Sequence, residues 1–212
     1  LLSGIAIAED EEAVVNAGEA LGAILTIAEL VTVFVESNGF PVTLQAFKKF
    51  ATSQPACVAL FHMLSVVLSD KNVEHVETMI MSEGIENLTL PIQSHNEDKE
   101  LVAASLDVAA KCCVSEMWSG TLSLMDLPLA VLNTLKKWQD EPLIVSPCLV
   151  ILACAGQEGD TVTLLVENGI YEVTMNALKT HKLNLDVCKG VLLVLHRLTS
   201  MDPDRKSTRL NS

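Results

Sequence analysis

A segment near the end of the chain, residues 161–198, places three helix-forming patterns in a fixed order. The first is a short apolar run ending at Glu167-Asn168-Gly169, where glycine can adopt the positive φ that often follows a helix end. An amphipathic stretch from about residue 171 to 180 follows, and then a longer apolar stretch over residues 186–198. The segment therefore predicts a unit of three helices with a glycine turn after the first.

The same turn occurs at two earlier places. Gly39 and Gly84 each follow two polar residues, and apolar residues lie four and five positions before each glycine. Gly39 and Gly84 are 45 residues apart, whereas Gly84 and Gly169 are 85 apart, close to twice 42. A further unit is therefore expected near Asp126, which can cap a helix whose first turn carries Pro128.

The resulting steps of 45, 42 and 43 residues fall inside the roughly 40–47-residue period of helical repeat arrays. We divide the chain into a partial unit over residues 1–30 and full units over residues 31–70, 73–116, 117–157 and 160–200. The longest helix of each unit is expected at about Ala13–Leu30, Pro55–Ser69, Lys99–Ser115, Ser146–Ala155 and Asp186–Thr199.

Two places are expected to depart from this regularity. Pro91 falls within a predicted second helix, which it should kink or shorten. The segment from Met117 to Asp126 makes a poor first helix, because Trp118 and Gly120 stand where the other units have an apolar pair.

The three-helix unit resembles the armadillo repeat, with its short first helix, glycine turn and two longer antiparallel helices. The resemblance implies an all-α protein, an armadillo-like α-solenoid that forms a right-handed superhelix over residues 1–204. HEAT-like packing is the alternative, and the glycine turn favours armadillo. Armadillo proteins that hold extended peptides carry an Asn ladder on their third helices. Thr26, Ala110 and Arg197 stand near that position, so binding of nuclear-localisation signals is not carried over.

The resemblance implies a non-catalytic scaffold for protein–protein interaction, with a protein or peptide partner on a concave face lined by the third helices. Outward-facing candidates on those helices are Thr26, His62, Asp107 and Arg197, and their replacement by Ala is expected to leave stability nearly unchanged. The alternative is a regulatory armadillo-like segment of a serine/threonine kinase-like protein or pseudokinase, or of another signalling protein.

Lysines recur at the ends of the predicted second helices: Lys48, Lys49, Lys136, Lys137 and Lys179. Cations there offset the negative end of the helix dipole. We favour that interpretation over a stripe that binds an acidic partner. The unit containing Gly84 departs from the pattern and offers Gln93 and His95 instead.

Catalytic, cofactor and metal sites are not predicted. The chain has no GxSxG, no P-loop and no GxGxxG after a strand, and its His and Cys residues lack metal-site spacing. A formal charge of −13 argues against nucleic-acid and anionic-membrane partners, which need clustered cations. Uncharged runs such as residues 142–157 are too short to span a membrane. The sequence indicates no oligomeric state.

Six Cys residues without a CxxC pair fit a reducing compartment, which favours the cytoplasm and also allows the nucleus. Residues 205–212, RKSTRLNS, resemble translated sequencing-adaptor read-through, and we interpret them as a non-native tail. Without the three cations of that tail, the Lys and Arg count falls to 11 against 27 acidic residues, and the charge becomes −16.

Overall fold

The computed structural model describes residues 2–69, 71–82, 84–94, 97–124, 126–157 and 159–200. Over these ranges the regular structure is entirely α-helical, which confirms the predicted all-α class. The helices are α1 Leu2–Ile7, α2 Glu11–Ile24, α3 Ala28–Glu36, α4 Gly39–Lys49, α5 Gln54–Val67, α6 Val73–Met81, α7 Gly84–Ser94, α8 Lys99–Cys112, α9 Glu116–Leu124, α10 Leu127–Lys137, α11 Pro142–Ala155, α12 Gly159–Glu167, α13 Ile170–Thr180 and α14 Leu185–Ser200. None of them is long and apolar enough to cross a membrane.

The helix lengths recur in a fixed order. Helices α3, α6, α9 and α12 have nine residues, and α4, α7, α10 and α13 have eleven. Helices α2, α5, α8 and α11 have fourteen residues and α14 has sixteen. A short, a medium and a long helix therefore follow one another four times from α3 onward.

Side-chain caps fix the starts of most long helices. Asp10 accepts a hydrogen bond from the Ala13 N–H at 2.7 Å, and Asp98 accepts one from Leu101 N–H at 3.1 Å. Ser53 caps α5 in the same way. Such caps satisfy backbone donors that a helix start leaves without partners, each worth about 1 kcal/mol.

The chain divides into two compact units, residues 1–118 and residues 119–212. In unit 1 the long helices lie in a row, with α2 packed on α5 and α5 packed on α8. Helix α4 packs on α5 and α7, and α7 packs on α8. The fully buried side chains Phe40, Phe61, Leu64 and Met79 form part of the core of this unit.

Unit 2 repeats this type of packing with its own helices. Helix α11 packs on α14, α10 packs on α11, and α13 packs on α14. The short helix α12 contacts both α10 and α13. Leu132, Leu149, Leu165 and Val191 are fully buried between these helices.

The turn between short and medium helices differs in register from the sequence prediction. The left-handed residues are Asn38 with φ 59°, Asp126 with φ 52° and Gly169 with φ 81°. Asn and Asp tolerate this conformation better than other side chains do. The prediction that Gly39 supplies the positive φ is therefore wrong. The equivalent of Asn38 before α7 is residue 83, which lies outside the described residues.

Phe34 explains the glycine at position 39. A Cβ built on Gly39 would lie 2.5 Å from two atoms of the Phe34 ring, so a larger residue there needs the ring to move. Phe34 is buried and contacts Phe40 edge to face, with ring centroids 5.6 Å apart.

Aligning the units on their left-handed residues also corrects the prediction that residues 117–126 make a poor first helix. Leu122 and Leu165 lie four residues before Asp126 and Gly169, as Phe34 does before Asn38, and all three are buried. Trp118 is fully buried as well. Helix α9 therefore forms with the same nine-residue length as its counterparts, although Ser123 follows Leu122 where the other two units have a second apolar residue.

Two helix bounds also differ from the prediction. The single helix expected over Ala13–Leu30 is two helices, because α2 ends at Ile24 and α3 begins at Ala28. Pro91 lies inside α7 but does not shorten it, since α7 has the same eleven residues as α4.

Candidate functional site

A groove of about 490 Å³ lies between the long helices of unit 1. One side is formed by α2 and the other by α5, and Glu100 at the start of α8 closes one end. Along α5 it extends from Pro55 to Val66. At 1.5 Å per residue, that distance is about 16 Å.

Small residues bring the two helices close together beneath the groove. A Cβ built on Gly18 would lie 3.4 Å from the Ala59 Cβ, and one on Gly22 would lie 3.6 Å from the Met63 Cα. Both distances are ordinary or slightly tight van der Waals contacts. The two helices are therefore in close contact over about one helical turn, with the glycines of α2 against Ala59 and Met63 of α5.

The polar groups of the groove are acidic or neutral. Glu19 on α2 and Glu100 on α8 are exposed and line it, as does His62 on α5. The Gln54 amide donates a hydrogen bond to Asp98 at 3.1 Å and a longer one to Glu100 at 3.5 Å. The arrangement offers carboxylates at the rim and an apolar floor, with Val15 and Val58 between them.

Of the four candidate residues on the predicted third helices, only His62 lines the groove, and Arg197 belongs to unit 2. His62 is exposed on α5 and lines the groove. Thr26 is not on a helix but in the turn between α2 and α3, where its hydroxyl donates to the Ala23 carbonyl at 2.9 Å. Arg197 is exposed on α14 of unit 2.

Asp107 interacts with side chains of both α8 and α5. Its carboxylate lies 3.0 Å from Lys111 Nζ one turn along α8, and it accepts a hydrogen bond from the Ser65 hydroxyl of α5. Lys111 also donates to the Ser65 carbonyl oxygen at 3.0 Å. This cluster ties α5 to α8, so Asp107 is not a free outward-facing side chain.

The lysines lie in the last turns of the medium helices, where the sequence placed them. Lys48 and Lys49 end α4, Lys136 and Lys137 end α10, and Lys179 lies in the last turn of α13. Lys49 donates to the Ala8 carbonyl oxygen and lies 5.5 Å from the Phe50 ring centroid, and Lys137 lies 5.3 Å from that of Trp138. The last turn of α7 has no cation, and His95 lies outside the described residues.

Sequence reasoning missed most residues that line the groove. The signal was present, because Pro55, Ala59, His62 and Val66 recur at helical spacing on one face of α5. Glu19 of α2 was not found, because a sequence does not show which faces of two separate helices meet. Gly22 is recognisable from the sequence as a small residue that permits close helix approach, but its partner Met63 is not.

The six cysteines are free thiols, and four of them are buried. Burial raises the pKa of the Cys57 thiol to about 11 and that of Cys148 further still. Among the described residues, no group of three or more His, Cys, Asp and Glu side chains could hold a metal ion.

Comparison with known proteins identifies a shared fold but no family. No protein-family model matches the chain, and no curated protein matches it. The chain is similar to the crystal structure of an engineered protein, a target of the Northeast Structural Genomics Consortium. That likeness has a TM-score of 0.64 and 14% identity, and it covers 94% of this chain and 96% of the engineered one.

Proposed function

We propose that this chain is an armadillo-like α-solenoid, a right-handed superhelix of three-helix units, which acts as a non-catalytic scaffold for protein–protein interaction. The recurrence of nine-, eleven- and fourteen-residue helices supports the solenoid. So does the row of long helices α2, α5 and α8 in unit 1, because stacked units place equivalent helices side by side. The free thiols suit a reducing compartment, the cytoplasm or the nucleus.

The groove between α2 and α5 is the binding site in this proposal. Its length of about 16 Å matches about five residues of extended chain. Its floor is apolar, and its rim carries the carboxylates of Glu19 and Glu100. The fitting partner is a short extended segment that combines Lys or Arg with small apolar side chains.

Selection from a random peptide library displayed on phage tests this proposal without a known partner. Peptides rich in Lys and Arg are the expected outcome, with binding that weakens as salt screens the rim charges. Failure to enrich any peptide, or enrichment of acidic ones, would overturn the proposal.

Variants then locate the bound peptide. Replacing Glu19 and Glu100 together by Lys is expected to weaken the selected peptides at least about tenfold, and His62→Ala to weaken them less. The matched control replaces two exposed carboxylates of unit 2, Glu167 and Glu172, by Lys. Equal loss in the groove variant and the control would mean that only net charge attracts the peptides.

A further inference from the structure

One surface of α13 and α14 in unit 2 exposes large apolar side chains. Tyr171 and Met175 on α13 are 42% and 40% exposed, and Leu192 on α14 is 66% exposed. Leu185 and Leu193 on α14 are also exposed. Clusters of exposed apolar side chains commonly mark an interaction surface. We name Tyr171, Met175 and Leu192 the α13–α14 face.

The preceding helices of unit 2 have residues at the equivalent positions that are covered by other helices. Position by position, α13 and α14 lie 43 residues after α10 and α11. Tyr171, Met175 and Leu192 therefore correspond to Pro128, Leu132 and Leu149, which are all buried. Helices α13 and α14 pack on α10 and α11. The α13–α14 face is thus a helix-packing surface of the same register, without a covering helix pair in the described residues.

Unit 1 presents a second apolar surface, a groove of about 550 Å³ formed by α1 to α4. Ile7, Ile24 and Val33 line it and are exposed, with Val33 at 54%. Leu21 and Phe34 form its buried base. We name it the α1–α4 groove.

Opposite charges flank these two surfaces. Glu29 and Glu36 lie four residues before and three residues after Val33, on the same face of α3. The cations of α1 to α4 are Lys48 and Lys49, at the C-terminal end of α4, six and seven residues beyond the groove-lining Val42. Around the α13–α14 face, Lys179 follows Met175 by four residues and Lys189 precedes Leu192 by three.

Acidic residues are also present beside the α13–α14 face. Glu172 lies on α13, and Asp186 lies 3.7 Å from Lys189 in an exposed pair. Over residues 170–200, which include the turn between α13 and α14, four cations (Lys179, Lys182, Lys189 and Arg197) are present with these two carboxylates. The acidic rim of one surface therefore complements the basic rim of the other.

We propose that the chain self-associates head to tail, with the α13–α14 face of one copy docked in the α1–α4 groove of a second copy. Complementary rims select this pairing over face-to-face pairing of two identical surfaces, which would bring like charges together. Because the two surfaces differ, a pair of copies joined by one such contact still has one free face and one free groove, so further copies add as concentration rises.

Sedimentation analysis of the full chain over micromolar to millimolar concentrations tests the proposal, with single variants Val33→Glu and Leu192→Glu. Wild type is expected to form species larger than a dimer, and each variant alone to stay monomeric, because each lacks one of the two surfaces. An equimolar mixture of the variants is expected to form a dimer and stop there, since each supplies the surface that the other lacks. The interaction is expected to weaken with added salt.

Both replaced side chains are more than half exposed, so circular dichroism and thermal melting should show folded variants. Leu143→Glu, at an exposed residue of α11, is the matched control and should associate as wild type does. A wild type that stays monomeric at all concentrations would overturn the proposal. So would a Val33→Glu variant that still dimerises alone, or a mixture that stays monomeric.

Discussion

Gly190 of α14 lies directly against Leu149 of α11. A Cβ built at position 190 would be 2.8 Å from the Leu149 Cβ and 3.3 Å from one of its methyl groups. Glycine inside a helix costs about 0.5–1 kcal/mol relative to alanine. The close contact between the two helices offsets this cost, because it buries Val187, Val191 and Val194 along α14.

Replacing Gly190 by Ala is therefore expected to destabilise the protein. The nearest atom is a Cβ close to the backbone of α11, so relief requires the helices to move apart, at a cost of about 1–3 kcal/mol. This exceeds the gain in helix propensity. Urea unfolding followed by circular dichroism measures the change.

Gly120→Ala is the matched control, since a Cβ on this glycine of α9 has no neighbouring atom within 4 Å. It is expected to raise the free energy of unfolding by up to about 1 kcal/mol. A Gly190→Ala variant as stable as Gly120→Ala would show that the contact between α11 and α14 is looser than the structure has it.

Gly39→Ala is expected to destabilise unit 1 by a steric mechanism. Its φ is not positive, and the cost comes from the Phe34 ring atoms 2.5 Å from the new Cβ. Phe34→Leu removes ring atoms, so the double variant should lose less free energy than the sum of the two single variants. Additive losses in the double-mutant cycle would contradict this explanation.

Gly169→Ala provides the contrasting case. Nothing lies within 4 Å of a Cβ there, and the cost is the left-handed φ of 81°, about 1 kcal/mol for alanine. Gly169→Asn should recover part of that loss, because Asn38 occupies the equivalent position with φ 59°.

The turns show how much of the fold the sequence predicts. The spacing of turn residues and the apolar periodicity predict the helix order, because both are local properties of the chain. Aligning the units on their glycines is one residue out of register, because Asn38 and Asp126 adopt the left-handed conformation that the prediction assigned to glycine alone. The contact between Gly39 and Phe34 is also invisible in a pattern of residue types.

The groove was predictable only in part. His62 is an outward-facing residue of a long helix, and helical periodicity finds it. Its neighbours across the groove depend on Gly18 meeting Ala59, which is a contact between residues 41 positions apart. Thr26 was misplaced because the apolar pattern continues through the turn between α2 and α3.

Asp107→Ala is expected to lower stability by about 1–2 kcal/mol, in contrast to the nearly neutral effect that the sequence suggested. The substitution leaves Lys111 and the Ser65 hydroxyl without their shared acceptor. Asp107→Asn keeps an acceptor and should lose less. The carboxylate is half exposed, so part of the loss is expected to disappear at high salt.

Cysteine alkylation is expected to discriminate between buried and half-buried thiols. Cys113 and Cys188 are half-buried, whereas Cys57 and Cys148 are buried with raised pKa values. The thiolate is the reactive form, and at pH 8 a thiol with a pKa of about 11 is ionised in about one molecule in a thousand. Mass spectrometry after brief iodoacetamide treatment should find Cys113 and Cys188 modified at least about tenfold faster.

Ionisation of the Cys57 thiol is expected to lower the free energy of unfolding at alkaline pH. Its thiol pKa is raised from 9.0 to about 11 by burial, and its Sγ donates to the Phe50 carbonyl oxygen at 3.5 Å. Between pH 9 and 11 the unfolded chain releases this proton while the folded chain keeps it, so the free energy of unfolding falls as pH rises through that range. Comparison with Cys57→Ala isolates the contribution of this thiol. The variant is expected to be less stable at pH 7 and to lose less stability between pH 9 and 11 than wild type does. Parallel pH profiles would mean that Cys57 ionises equally in the folded and unfolded states, and would contradict the effect assigned to the burial of its thiol.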